Sequence, residues 1–167
     1  AFGEGMVGRK LRDRLLDPDF KADEDTEVLY IASSIQETYN EQAKFSLEQG
    51  CTIIYDRFIS SYYAYQCVGR DSRAAKAIFE TIFMDPKNIT IQPELYIYCK
   101  VDLDVAEKRI QERGNENYLD KETREFKEKV VLGFDEFFEK KTKSKVVTID
   151  CNQGQDIVFE NVKQAIE

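Results

Sequence analysis

The run Cys51-Thr52-Ile53-Ile54-Tyr55 leads directly into the charged pair Asp56-Arg57, and this stretch decides the fold. Its apolar, β-branched residues are nearly continuous, which is typical of a strand covered on both faces. Two further apolar runs are Leu95-Tyr96-Ile97-Tyr98-Cys99-Lys100-Val101 and Val146-Val147-Thr148-Ile149. The sequence therefore predicts three short strands.

Helical patterns lie between these runs. Apolar residues three and four positions apart predict one long helix from Val28 to Leu47 that ends before Gly50. Similar stripes predict helices at 8–16, at 103–110 ending at Gly114, at 126–138 and at 157–166. Strands that alternate with helices predict the α/β class, a three-layer α/β/α domain with a mainly parallel sheet.

Composition limits the class of protein. The chain has 167 residues, which favours one domain, and its net charge of -8 argues against a nucleic-acid binder. The absence of histidine excludes Ser-His-Asp and Cys-His nucleophiles and every histidine-containing metal site. No apolar run approaches the length of about 20 residues that a membrane span needs, so we expect a soluble cytoplasmic protein without a membrane partner.

The 4 cysteines are widely spaced and form no C-x-x-C pair. Such spacing predicts reduced, mostly packed thiols rather than a disulfide framework or a zinc site. The glycine pattern Gly3-Glu4-Gly5-Met6-Val7-Gly8 matches G-x-G-x-x-G, but no strand precedes it. We therefore interpret it as a loop that enters the first helix, not as a dinucleotide site.

Polar residues follow all three predicted strands. Asp56-Arg57, Asp102 and Asp150 stand where the strands end, and ligands bind at that edge of an open parallel sheet. A carboxylate beside a guanidinium suits a cation and a phosphate, although a structural ion pair is the alternative. The helix after Asp56-Arg57 adds a hydroxyl, aromatic rings and an amide that could read a base edge.

The segment from Asp56 to Gln66 resembles the thymidylate kinase hallmark D-R-[YFH]-x-x-S-x-x-A-Y-Q, which it matches position for position. Further similarities follow in order. They are Gly8 to Pro18, Pro93 to Tyr98, Val101 to Gly114, and Ile149-Asp150 with Gln153 and Val158. The resemblance spans essentially the whole chain and implies a P-loop kinase-like fold with a lid at about 109–125.

The resemblance implies a role for each matching residue. Arg57 holds the phosphate of dTMP, and Asp56 organises Mg²⁺ and the reacting phosphates. On the substrate side, Tyr30 stacks on thymine, Ser61 and Gln66 read the base edge, Tyr65 crowds the 2′ position of the sugar, and Ser34 occupies the place of a family arginine. On the ATP side stand the lid arginines Arg109 and Arg113 and the adenine-side residues Asn152 and Gln153. A solvated basic helix face is the alternative for the two lid arginines.

Three departures from the family pattern bear on function. The sequence contains no G-x-x-x-x-G-K-[ST] loop, which cradles the phosphates of ATP in this class, and we expect that loop to precede Ala1 in a longer chain. Ser34 replaces an arginine near the substrate, and Tyr118 stands where bacterial lids commonly carry one.

The implied activity is transfer of the γ-phosphoryl group of ATP to dTMP, with Mg²⁺, by a homodimer that pairs its long helices. Two alternatives stay open at this point: a catalytically silent nucleotide-binding module, and a related deoxynucleoside or nucleoside monophosphate kinase.

Overall fold

The computed structural model of the chain describes residues 6–16, 23–85, 92–114 and 119–167. In chain order the elements are α1 (Met6–Leu16), α2 (Glu24–Thr38), α3 (Lys44–Glu48), α4 (Ile59–Tyr62), α5 (Arg73–Ile78), β1 (Leu95–Lys100), α6 (Leu103–Arg113), α7 (Arg124–Glu136), β2 (Lys145–Asp150) and α8 (Gln155–Ile166). Turns of π-helix follow four of these helices: Tyr39–Ala43 after α2, Tyr63–Gly69 after α4, Phe79–Phe83 after α5 and Phe137–Lys141 after α7.

The two strands form a parallel sheet. They pair in register from Leu95 opposite Lys145 to Lys100 opposite Asp150. Parallel strands need a long crossover, and α6 and α7 lie in the connection between them. The predicted α/β class with a parallel sheet is therefore confirmed, as are the strands predicted near 95–101 and 146–149.

The strand predicted at 51–55 is wrong for the part of the chain that the structure describes. Residues 51–55 lie outside any strand, and Ile54 is 86% exposed. An apolar, β-branched run indicates that its side chains favour burial in a sheet. A strand forms, however, only where a neighbouring backbone supplies the hydrogen bonds of the ladder. The described residues offer this run no such partner.

The long helix is confirmed. Helix α2, its π turn and α3 run without a break from Glu24 to Glu48. The Asp23 carboxylate caps the start by accepting the Thr26 N–H at 2.9 Å, and Gly50 lies just beyond the end with φ of 75°.

The other predicted helices are also present. Helix α6 ends before Gly114, which has φ of 70°. Helix α7 with its π turn covers 126–138, and α8 covers 157–166. The first helix begins at Met6, so Gly8 lies within it, whereas Gly3 and Gly5 lie outside the described residues.

Aromatic rings form the centre of the core. Tyr62, Phe79, Phe83 and Phe137 are each at most 2% exposed. The rings of Tyr63 and Phe79 lie 4.7 Å apart between centroids, a distance typical of favourable aromatic pairs. The core therefore joins the segment after α4 to α5 and to the end of α7.

A close backbone approach fixes the helical segment that follows the Asp56-Arg57 pair. A Cβ added to Gly133 of α7 would lie 2.8 Å from the Ala64 Cα, and one added to Gly69 would lie 2.9 Å from a Val130 methyl carbon. These two glycines let α7 lie directly against residues 63–69, because any side chain there would push the two segments apart.

Only part of the cysteine prediction holds. Cys67 and Cys151 are buried, whereas Cys51 and Cys99 are exposed, and all four are free thiols. Cys51 is exposed because it opens the unpaired run 51–55, and Cys99 lies near the carboxyl end of β1. Among the described helices, none has the length and apolarity to cross a bilayer.

Candidate functional site

The Asp56-Arg57 pair lies in an exposed turn with unusual backbone geometry. Arg57 has φ of 68°, in the left-handed region that a non-glycine residue adopts at an energetic cost. Phe58 follows it, is buried, and stacks on Tyr55 with ring centroids 4.5 Å apart. This stacking anchors the turn on both sides of the charged pair, so the strained backbone is held by its neighbours.

The helix after the turn presents Tyr65 to Arg57. The Arg57 guanidinium carbon lies 5.8 Å from the centre of the Tyr65 ring, within cation–π range. Tyr65 also packs on α7, with centroids 6.3 Å from Phe126 and 6.1 Å from Phe134. The structure therefore brings these two predicted site residues together.

Gln66, the next residue, is 4% exposed, and its Oε1 has no hydrogen-bond partner among the described residues. A buried amide oxygen without a partner costs about 1–3 kcal/mol, and a ligand that donates a hydrogen bond to it would recover that cost. Gln66 lies in the π-helical turn 63–69, and such turns are frequent at functional sites. Ser61 lies one helical turn earlier and is half-buried.

Two predicted residues lie on α2, which contacts both α4 and α5. Tyr30 is half-buried, and Ser34, one turn further on, is completely buried at 0% exposure. The Ser34 carbonyl accepts the Thr38 hydroxyl at 2.9 Å.

A second group of predicted residues gathers at the carboxyl ends of the strands. The Asp150 carboxylate accepts the Asn152 N–H at 2.9 Å and the Gln153 amide at 3.4 Å, and these bonds hold its pKa below the usual range. Asn152 Oδ1 accepts the Asp102 N–H at 2.9 Å, so the loop after β2 is tied to the residue that caps α6.

The two arginines of the predicted lid have different partners. Arg109 donates to the carbonyls of Cys151 at 2.7 Å and Gln153 at 3.0 Å. Arg113 instead pairs with the Asp120 carboxylate at 2.6 Å. Arg109 is thus held on the loop after β2, and Arg113 pairs with a residue of the predicted lid segment itself. Tyr118 lies outside the described residues.

Arg70, which was not predicted from the sequence, connects its own segment to α2 and to the region of α7. Its Nη2 lies 3.2 Å from Glu27 Oε1 and 3.5 Å from Glu122 Oε1, and its guanidinium carbon is 5.5 Å from the centre of the Phe126 ring. The cluster ties α2 to the start of α7, where Tyr65 also packs. No sequence pattern indicates it, because Glu27 and Arg70 are 43 positions apart.

The sequence of the chain is similar to those of known proteins. The sequence model of the thymidylate kinase family matches residues 3–162. The chain is 32% identical over 165 residues to the thymidylate kinase of Caldicellulosiruptor saccharolyticus, covering 99% of this chain and 78% of that protein. It is 32% identical over 168 residues to the thymidylate kinase of Mesoplasma florum, covering 96% and 75%. It is 31% identical over 166 residues to the thymidylate kinase of Staphylococcus epidermidis, covering 98% of this chain and 79% of that protein. The chain therefore belongs to the thymidylate kinase family, and its reaction is the ATP-dependent phosphorylation of dTMP.

Proposed function

We propose that Arg57 and Gln66 are the two principal contacts to dTMP. The observation that carries this proposal is the unpartnered, buried Gln66 Oε1, one residue after the Tyr65 ring that faces Arg57. The guanidinium binds the monophosphate through paired N–H groups, and the amide oxygen accepts the N–H of the thymine ring. A substrate with both a phosphate and a thymine base then satisfies both groups together.

The remaining substrate contacts complete this proposal. Tyr65 restricts the 2′ position of the sugar, with its ring held by packing on Phe126 and Phe134 of α7. Tyr30 stacks on thymine, and Ser61 supplies a hydroxyl near the base. Ser34 shapes the pocket from behind as a small buried residue, where an arginine would place a charge.

The donor side of the proposal uses the loop after β2. Asn152 and Gln153 contact the adenine of ATP, and Arg109, which already binds the backbone of this loop, faces the phosphates. Arg113 supplies a second positive charge from a lid at about 109–125, within one domain that spans 1–167. The transfer is an in-line displacement in which positioning provides most of the rate, with no covalent intermediate.

Asp56 fits a magnesium ion that arrives with the nucleotide. Mg²⁺ in kinases is held by one or two carboxylates together with phosphate oxygens and water. Asp56 is an exposed carboxylate next to Arg57, the residue proposed to bind the phosphate. The described residues contain no cluster of three or more metal-ligating groups. The ion, when bound, would neutralise the phosphate oxygens during transfer. We place this reaction in the cytoplasm, in keeping with the free thiols.

The long helix is the proposed homodimer surface. Its stripe of Val28, Ala32 and Ile35 is buried in the chain's own core, but Leu29 and Phe45 stay 54% and 65% exposed. Exposed apolar residues on one helix favour pairing with the same helix of a second copy. We expect sedimentation velocity at micromolar concentration to give the mass of two chains. A monomer under these conditions would remove the dimer from the proposal.

Replacing Gln66 by leucine is expected to raise KM for dTMP about 10- to 100-fold, because the thymine N–H loses its acceptor while the volume of the side chain is kept. The melting temperature should not fall, since the substitution removes an unsatisfied polar atom. The measurement is ADP release in a coupled assay with dTMP, the other deoxynucleoside monophosphates and thymidine.

Gln92→Leu is the matched control. Gln92 also has an amide oxygen without a partner in the described structure, but its amide donates to Phe83 O and it lies outside the motif from Asp56 to Gln66. This variant should keep the KM for dTMP. If Gln66→Leu also kept it, Gln66 would have no part in binding the base.

A further inference from the structure

Two cysteines meet where the strands end. Cys99 of β1 lies opposite Ile149 of β2, and Cys151 comes just after β2. The Cys151 N–H donates to Lys100 O at 2.7 Å, so the ladder continues one step beyond the strand and keeps Cys151 beside β1. Residues that pair in a parallel ladder share a face, and that face recurs at every second position. Cys99 and Cys151 are therefore on the same side of the sheet.

The two thiols interact, and their surroundings differ. Cys151 is buried and Cys99 is exposed. Burial, followed by the neighbouring Cys99 thiol, raises the pKa of Cys151 to about 11. Cys151 is thus a protonated, sheltered thiol at neutral pH, and Cys99 is the member of the pair that a dissolved reagent reaches.

We propose that Cys99 and Cys151 form an oxidisable dithiol that a hydroperoxide converts into an intramolecular disulfide. The Cys99 thiolate attacks the peroxide oxygen and breaks the O–O bond, which gives a sulfenic acid and releases an alcohol or water. The Cys151 sulfur then attacks the sulfenic sulfur. Hydroxide leaves and takes the Cys151 proton as water, so two thiols and one peroxide yield one disulfide, one alcohol and one water.

The cross-link acts on the elements between the two cysteines. It closes a loop that contains α6 and α7, so it restricts the unfolded chain more than the folded one. We expect the melting temperature of the oxidised protein to rise by about 5–10 °C. The disulfide would also involve a residue that Arg109 binds, because Arg109 donates a hydrogen bond to the Cys151 carbonyl.

The test treats the reduced full chain with one equivalent of hydrogen peroxide, alkylates the remaining thiols and maps the peptides by mass spectrometry. The expected product is a peptide pair joined through Cys99 and Cys151, lost on reduction with dithiothreitol, together with the higher melting temperature. Cys99→Ser and Cys151→Ser should each abolish the link, whereas Cys51→Ser, which removes the other exposed thiol, should keep it.

Two products would overturn the proposal. One is Cys99 carried on to the sulfinic acid with Cys151 still alkylated as a free thiol. The other is Cys99 joined to Cys51 of a second copy. Should a serine variant fail to fold, peptide mapping of the unaltered chain decides between these products and the proposed disulfide.

Discussion

Arg57→Ala is expected to lower kcat/KM for dTMP by about 100-fold or more, with folding stability almost unchanged. A bidentate guanidinium–phosphate contact contributes several kcal/mol, and each 1.4 kcal/mol corresponds to about a factor of ten in rate. Arg57 is exposed, so removing its side chain opens no cavity in the core. The measurements are steady-state kinetics with dTMP as the varied substrate and a thermal melt of the same preparation.

Three companion variants sharpen this test. Arg57→Lys keeps the charge without the planar fork and should recover only part of the activity. Arg57→Gly should be as inactive as the alanine variant but more stable than it by about 1 kcal/mol, because glycine relieves the strain at φ of 68°. Arg73→Ala, at an exposed arginine of α5, should leave kinetics and stability unchanged. Normal turnover of dTMP by Arg57→Ala would mean that Asp56-Arg57 is a structural pair.

Phe137→Ala should give the largest loss of stability, about 3–5 kcal/mol. The ring is 0% exposed and lies between several aromatic neighbours, with centroids 5.6 Å from Tyr96 and 5.9 Å from Tyr63. Its removal takes away apolar burial and leaves a cavity between the end of α7 and the sheet. Urea denaturation should show a lower midpoint with the same m-value, and the melting temperature should fall by about 10 °C.

Phe159→Ala is the control for the loss of an aromatic ring as such. Phe159 belongs to α8 and is 61% exposed, so its truncation should change stability by no more than about 0.5 kcal/mol. Equal losses for the two variants would contradict the placement of Phe137 at the centre of the core.

The helices were predictable because their signals are local. The stripe from Val28 to Leu47 and the stop at Gly114 depend on residues within a few positions of each other, and the structure has both features. The run 51–55 carries an equally strong local signal, yet it is not a strand in the described part of the chain. The local sequence pattern determines which secondary structure a segment favours. A strand also requires a neighbouring strand to pair with, and the local pattern carries no information about that neighbour.

The candidate site divides in the same way. The motif from Asp56 to Gln66 was enough to indicate the family, and the comparisons confirm that family. The roles of the individual residues stay predictions. The sequence offered no signal for the cluster of Arg70, Glu27 and Glu122, because its members are far apart in the chain.

The sequence by itself determined the α/β class, the approximate limits of the main helices and the family. Only the tertiary structure decided that Arg109 binds the loop after β2 while Arg113 turns to Asp120, and that Gln66 Oε1 is buried without a partner among the described residues. It also decided that Cys99 and Cys151 meet. The physical reason is range: periodicity and capping act over one or two helical turns, whereas a hydrogen-bond partner or a thiol contact depends on distances that exist only once distant segments have packed together.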